Sequence, residues 1–434
     1  MKPITRIEHY LAAIAGLQDY TPEEPITRLE KYLAYINGKT DSYPEPVTRI
    51  DQLIVMQIEK TELPFEPVRR LEWILAGLCN EPVTREEWFW VQAVEELNAV
   101  KELPYCLNFL GNEDFKLKTS NTTKSWDGKL EYSTDGEAWS TWDGTEIASA
   151  RKALYLRGSG NTKITTSSSN KFILTGTNAL KIACNGNIEN LLDYETVEAG
   201  GHPTVDGYCF YYMFNGCTQL TEAPDMPTTL TNAGYACAYM FQNCTSLTKA
   251  PKLPATTMAM ACYQGMFKGC TSLTKAPELP ATELLGYCYS EMFYNCTSLE
   301  TAPELPATTM YDHCYSSMFD GCASLVDAPA LPATKLANRC FNYMFRNCTS
   351  LTTLPVLSAT TLADACYYNM FQNCTNIKLS TMQTGEYQTE YRIPKSGTGT
   401  TADTALNGMF VGTGGTFTGT PEINTTYYTS NNMV

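Results

Sequence analysis

Histidine is nearly absent from this chain: there are three in 434 residues. His9, His202 and His313 stand in unrelated contexts, and no CxxC pair accompanies them, so the usual zinc sets are excluded. HExxH, GxSxG and a phosphate-cradling glycine loop are missing too. A glycosidase carboxylate pair is drawn from distant positions and is not excluded by motif. Here, however, Glu278 and Glu304 recur with a repeat, which fits surface solubility better than one tuned acid and base. We expect no enzyme, no metal and no cofactor. Clustered Lys and Arg are also lacking. The net charge is -15 and the pI about 4.8, so nucleic acid is not an expected partner. No run of eighteen apolar residues exists, which excludes a helical membrane span. The opening MKPITRIEHYLAAIAGL carries Arg6, Glu8 and His9 and has no clear signal-peptide core.

Cysteine, by contrast, is plentiful, at seventeen, and tyrosine reaches 27. Fourteen of the cysteines belong to one pattern. The pair Met-Phe recurs at Met213, Met240, Met266, Met292, Met318, Met344 and Met370, first after 27 residues and then after 26 each time. A cysteine follows at Cys217, Cys244, Cys270, Cys296, Cys322, Cys348 and Cys374; another precedes at Cys209, Cys237, Cys262, Cys288, Cys314, Cys340 and Cys366. Such a period marks a solenoid, whose units bury their apolar faces only by stacking. The second cysteine of each repeat, with Phe214, Phe241, Phe267, Phe293, Phe319, Phe345 and Phe371, is the expected core. A ladder of buried free thiols and a disulfide within each repeat are both open. Residues 281–293 read as a short helix or helical turn, since Cys288 and Met292 are four apart. Cys237 lies three before Met240 rather than four, which predicts a bulge or widened turn near Gly234. LNGMFVGTGG, around Met409, reads as a worn final repeat.

The phrase MFxxCTSLTxAPxLPAT resembles the BspA-type leucine-rich repeats of surface and virion-associated proteins of gut bacteria and their phages. The resemblance covers roughly 205–378. It implies a curved solenoid of right-handed α/β type and a role in adhesion or receptor recognition. This chain departs from the shorter form of the family by its 26-residue period and its two cysteines per repeat.

A different repeat opens the chain: PITRIEHYLAAI, PITRLEKYLAYI, PVTRIDQLIVMQI, PVRRLEWILAGL and PVTREEWFWVQAV. Thr5, Thr27, Thr48 and Thr84 are the expected helix N-caps, three of them in Thr-x-x-Glu capping boxes. Each unit reads as a short amphipathic helix that is marginal alone. The string resembles short repeats of phage tail-associated structural proteins, which implies attachment to other virion or envelope proteins, or homo-oligomerisation.

Between these repeats FKLKT, KLEYST, KALYLRG and KFILTG read as strands, with Asp-Gly turns at 135–136 and 143–144. Trp126, Trp139 and Trp142 are core or a carbohydrate-stacking surface. Asp127, Asp135 and Asp143 lack the order of a calcium loop.

The expected fold is therefore multidomain. It comprises short helical repeats over 1–110, a small all-β, sandwich-like domain over 111–200, a BspA-like solenoid of seven repeats over 201–378, and a degenerate repeat with a C-terminal cap over 379–434. The expected function is non-enzymatic recognition, as a phage or prophage tail-associated receptor-binding protein that contacts a bacterial surface protein or glycan. The alternatives are a bacterial cell-surface adhesin and a structural virion component without a ligand. The location would be the virion tail or the bacterial surface. Tyr212, Tyr263, Tyr289, Tyr315, Tyr343 and Tyr367 are the candidate ligand-binding residues, because exposed tyrosines offer apolar area and a hydroxyl at low entropic cost.

Overall fold

The computed structural model describes residues 102–121 and 124–434. Thr5, Thr27, Thr48 and Thr84, with nearly all of the expected helical region 1–110, lie outside the described residues. Residues 102–110 hold no helix; they lead into strand β1, Leu107–Gly111.

The first part of the described chain is two sheets and one helix. The larger sheet contains β1, β3 (Lys129–Ser133), β4 (Ser140–Trp142), β6 (Ala153–Ser159), β8 (Ile182–Asn185) and β9 (Leu220–Glu222), in the order β4-β3-β6-β1-β8-β9. The smaller contains β2 (Lys116–Thr119), β5 (Ile147–Ala148) and β7 (Phe172–Thr175), in the order β5-β2-β7. Asp135-Gly136 makes the hairpin between β3 and β4, with Gly136 at φ 82°. Asp143-Gly144 instead carries the chain from one sheet to the other. Helix α1, Asn190–Glu198, then packs on β6. The region is thus not all-β.

The solenoid contains no α-helix, and this corrects the α/β expectation. Among the described residues α1 is the one helix, and it lies outside the repeats. Residues 281–293, expected as helical, are a run of tight turns. The cause is a backbone with φ positive at every fourth residue: Tyr287, Glu291 and Asn295 in one rung, His313, Ser317 and Gly321 in the next. A left-handed residue at that spacing forbids an i→i−4 ladder. The amides alternate instead. Ser290, Met292, Tyr294 and Cys296 donate to the carbonyl three residues back, while Tyr289, Glu291, Phe293 and Asn295 donate to Cys314, Ser316, Met318 and Asp320 of the next rung. Every amide in the ribbon is thereby paired, as burial requires.

Stacking puts identical side chains in columns. Phe214, Phe241, Phe267, Phe293, Phe319, Phe345 and Phe371 stack with centroids 5.4–5.8 Å apart and planes within 5–9°, and Phe410 continues the column at 5.4 Å. Each such pair is worth about 0.5–1.5 kcal/mol beyond its area burial. A second column holds Tyr263, Tyr289, Tyr315, Phe341 and Tyr367, with rings 5.7–6.2 Å apart.

The sixteen described cysteines are all free and buried. Their chemistry is a hydrogen-bond ladder. The Sγ of Cys244, Cys270, Cys296, Cys322 and Cys348 each donates at 3.1 Å to the carbonyl of the stacked phenylalanine one rung earlier, as in Cys270 to Phe241. That carbonyl also accepts the amide of the cysteine in its own rung, so both lone pairs are used. A thiol is apolar enough to bury and still fills the second acceptor site.

The second rung has its left-handed residues at Tyr235, Tyr239 and Asn243, in unbroken four-residue spacing. Cys237 therefore occupies the aromatic slot, and Ala236 takes the cysteine slot. Two residues are added just before, where Thr231–Gly234 stand in place of the later pair Ala259 and Met260, and one fewer lies between Cys217 and Leu230 than between Cys244 and Met258, which leaves a net gain of one.

Both ends of the stack are closed. β9, within the first repeat, pairs in parallel with β8. Phe172 on β7 accepts the Cys217 thiol at 3.4 Å and stacks edge-on against Phe214, so β7 stands in for a preceding rung. The two parts share one continuous core. At the other end, Thr404, Gly408 and Gly412 repeat the left-handed spacing, which makes Met409 and Phe410 an eighth rung. A sheet of β11 (Leu379–Ser380), β13 (Thr426–Thr429) and β12 (Thr389–Arg392) covers it, and β14 (Asn432–Met433) pairs with β10 (Thr353–Leu354).

Candidate functional site

The four-residue period decides which side chains reach solvent. The two residues after a left-handed position are inward: Cys288 and Tyr289, Met292 and Phe293 are all at most 1% exposed. The left-handed residue itself and the one after phenylalanine lie outside that inner set, and most of them reach solvent, with Ala261, Gly265, Asp320 and Ala365 buried. Three columns result, and none repeats along the stack. The first reads Tyr208, Tyr235, Ala261, Tyr287, His313, Arg339, Ala365. The second reads Tyr212, Tyr239, Gly265, Glu291, Ser317, Tyr343, Asn369. The third reads Asn215, Gln242, Lys268, Tyr294, Asp320, Arg346, Gln372. These columns carry much of the sequence diversity of the repeats, on an inner framework that recurs from rung to rung.

Two clusters stand on that ridge. At its N-terminal end Tyr208 stacks on Tyr235 at 5.0 Å and 1°, and Tyr212 on Tyr239 at 5.0 Å and 17°. Tyr211 packs edge-on against Tyr208 and Tyr212. Tyr208 is 44% exposed and the other four are half-buried. Burial, the adjoining Tyr211 and the Glu291 carboxylate push the Tyr212 phenol up to about 12. Burial and Glu291 push Tyr239 up as well. These hydroxyls stay protonated and available as donors at neutral pH. Glu291 is paired with Lys268 at 2.5 Å, and the Lys268 ammonium lies 4.4 Å from the Tyr294 ring centre.

Farther along, Arg346 grips the buried Asp320 through Nη2 at 2.5 Å and Nε at 2.8 Å. Burial raises the Asp320 carboxyl, while Arg346 opposes the shift. The guanidinium also lies 4.4 Å over Tyr343, whose ring meets Tyr368 edge-on. Between the clusters Tyr287 and His313 stack at 4.5 Å, and burial followed by Arg339 lowers the His313 pKa. The chemistry on offer is hydroxyl donors, ring edges and paired charges, which is the chemistry of recognition. No three His, Cys, Asp or Glu side chains group as metal ligands among the described residues.

Of the six tyrosines expected to bind ligand, Tyr212 and Tyr343 lie on the ridge, one in each cluster. Tyr263, Tyr289, Tyr315 and Tyr367 do not; they are at most 1% exposed and form the inner aromatic column. They directly follow a cysteine, which is an inward place. The signal was in the sequence: that place is aromatic in Phe210, Tyr263, Tyr289, Tyr315, Phe341 and Tyr367, so it repeats, as framework does. Tyr208, Tyr211, Tyr235, Tyr239, Tyr287, His313 and Arg346 were missed. All except Tyr211 sit in the three outward columns defined by the four-residue period.

The expected core residues are inside: every second-column cysteine and every Met-Phe phenylalanine is at most 2% exposed. Trp126 and Trp142 are buried and stacked at 5.5 Å. Trp139 is half-buried with the Arg157 guanidinium 4.0 Å from its ring centre. Asp135 and Asp143 accept hydrogen bonds from their own turns. Asn243, Asn295, Asn347 and Asn373, which head Asn-Cys-Thr triplets, are left-handed turn residues.

No curated protein and no solved structure matches the chain. A family model described as the BspA type leucine rich repeat region matches residues 207–325 and 237–378, in six copies. The matched span carries the ridge, both clusters and the thiol ladder. Residues 207–378 are accordingly similar to the BspA type leucine rich repeat region.

Proposed function

We propose that this chain is a recognition protein that holds its ligand on the variable ridge, and that it acts as a phage or prophage tail-associated receptor-binding protein on a bacterial surface. The observation that carries the first part is the segregation of diversity. The apolar residues that repeat are inside, and three outer columns of the turn ribbon vary from rung to rung, with a five-tyrosine cluster at one end. Tyrosine-rich surfaces of this kind gain large contact area at low entropic cost. The ladder of unbridged thiols supports assembly in a reducing compartment, as a virion protein undergoes. The ring faces within the cluster are stacked on each other, leaving edges and hydroxyls outward, which favours a protein ligand over a stacked sugar.

The full chain would be tested for binding to a panel of intact gut-bacterial cells and to a glycan array. Saturable binding to cells, weakened about tenfold or more by Tyr208→Ala with Tyr235→Ala, is the expected result. Absence of binding to any cell or glycan by folded protein would sink the proposal and leave a structural component.

A further inference from the structure

The first outward column is a stack with one ring left out. Tyr208 stacks on Tyr235 at 5.0 Å, and Tyr287 stacks on His313 at 4.5 Å. The rung between Tyr235 and Tyr287 carries Ala261, and among the described residues no ring contact joins those two tyrosines. The second column drops out at the same rung, at Gly265. Side chains at left-handed places lean over the following rung: a Cβ built on Gly265 would collide with the Tyr239 ring. By the same lean Tyr235 covers Ala261, which is fully buried, and a slot opens on the far face of Tyr235, towards Tyr287. Burial, Tyr208 and Tyr287, in that order, raise the Tyr235 phenol, so Tyr287 stands within electrostatic reach across the slot. Beside Tyr287, a Cβ built on Gly286 would meet no side chain beyond its chain neighbours, so that edge is open. Gln264 stands between Ala261 and Gly265, half-buried, and its side-chain amide makes no hydrogen bond within the described residues.

We infer that an aromatic side chain of the protein ligand inserts between Tyr235 and Tyr287 as the missing member of the stack, an assignment that rests on the ridge being the ligand face. The column itself sets the thickness. Its rings repeat at 4.5–5.0 Å and the two tyrosines are two rungs apart, which leaves room for one planar group. A guest ring there meets an aromatic face on each side, the near-parallel arrangement that such pairs favour. A branched aliphatic chain is too thick to touch both faces. A guest cation gains little, because the nearest carboxylate, Glu291, is already paired with Lys268. The Gln264 amide can meet a polar atom on the rim of the guest, a tyrosine hydroxyl or an indole N–H. Large rigid rings of this kind gain contact area at low entropic cost.

The test uses the full-length protein and three probes, N-acetyltryptophanamide, N-acetylleucinamide and N-acetylargininamide, with binding read by saturation-transfer NMR beside the binding to intact cells. The tryptophan probe should bind saturably and about fivefold or more tighter than the other two. Ala261→Tyr supplies the missing ring from the protein itself, and the fold should be kept, since Tyr235 and Tyr287 hold the same left-handed place one rung to either side. With circular dichroism unchanged, this variant should abolish probe binding and weaken binding to cells about tenfold or more. Tyr287→Ala, which removes one wall, should weaken both, while Tyr343→Phe, farther along the ridge, should leave probe binding unchanged. Three results would overturn the inference: no saturable binding of the tryptophan probe, equal binding of the leucine or arginine probe, or binding to probe or cells undiminished in Ala261→Tyr. Each would leave the ridge reading intact so long as Tyr208→Ala still weakens binding to cells. Absence of binding to any cell, with the tryptophan probe held and then blocked by Ala261→Tyr, would sink the receptor reading and uphold the slot.

Discussion

Tyr263 and Tyr315 show what one atom does in a stacked column. Each ring is fully buried between neighbours, yet neither hydroxyl has a hydrogen-bond partner. A buried, unpaired hydroxyl costs about 1–3 kcal/mol, whereas the ring is what the column needs. Phe341 already fills the same slot one rung beyond Tyr315. Tyr263→Phe and Tyr315→Phe are therefore expected to raise the thermal midpoint, while Tyr263→Ala should lower stability by about 3–5 kcal/mol through the cavity it leaves. Denaturant titration of the three variants checks the order. If both phenylalanine variants fall below wild type, the hydroxyls have partners after all. The same pair of residues shows why a residue type is a poor guide to function here. Tyrosine serves as interior filler at 263 and as ridge surface at 212, and its place in the four-residue period separates the two.

At the scale of one rung, the backbone conformation selects residue types that charge and hydropathy alone leave unexplained. The third left-handed position reads Gly216, Asn243, Gly269, Asn295, Gly321, Asn347 and Asn373. Glycine follows asparagine because the side chain of each asparagine leans over the next rung. A Cβ built on Gly269 would lie 2.4 Å from Asn243 Oδ1, and one on Gly321 only 2.1 Å from Asn295 Oδ1. Where two asparagines adjoin, at 347 and 373, they bond to each other at 2.9 Å instead. Gly269→Ala combines this clash with a strained φ of +75° and should cost more than about 1–2 kcal/mol, the penalty for the left-handed backbone alone. Asn243→Gly in the same chain should recover the part due to the clash. A double-mutant cycle by chemical denaturation measures it; strict additivity would show that the two rungs do not touch at this point. The helix expected over 281–293 failed for the same reason. Four-residue spacing of apolar residues is shared by an α-helix and by this ribbon, and only the sign of φ tells them apart.

For the whole molecule the decisive feature is a core with many proton-holding groups. Burial pushes the Cys288 thiol up to about 11 and Cys217 and Cys296 up to about 12, from an ordinary value of 9. A folded pKa above the unfolded one means that the folded state keeps its protons longer. This stabilisation is complete below pH 9 and is lost as pH rises from 9 towards the folded values. Each such thiol then withdraws about 1.4 kcal/mol per pH unit. We expect one sharp alkaline unfolding between pH 9 and about 11, with thiols silent towards a disulfide reagent before it and reactive together after it. Circular dichroism and thiol release, followed on the same samples, check this. Thiols that react one by one while the near-ultraviolet signal persists would refute the buried ladder.

The periodic text of the chain was enough to identify a stacked solenoid, its core phenylalanines and second cysteines, and the absence of catalytic and metal motifs. That follows because a solenoid contact recurs at a constant sequence offset, so the pattern itself is the contact map. The tertiary structure alone decided three things. It decided that the rungs are left-handed turn ribbons rather than helices, because amide pairing to the neighbouring rung does not show in one repeat's spacing. It decided that the thiols bond to carbonyls across rungs rather than to each other, because their partners come from a different repeat. And it decided which tyrosines meet solvent, because inward and outward places alternate with a period set by backbone sign, to which tyrosine, fitting both, is indifferent.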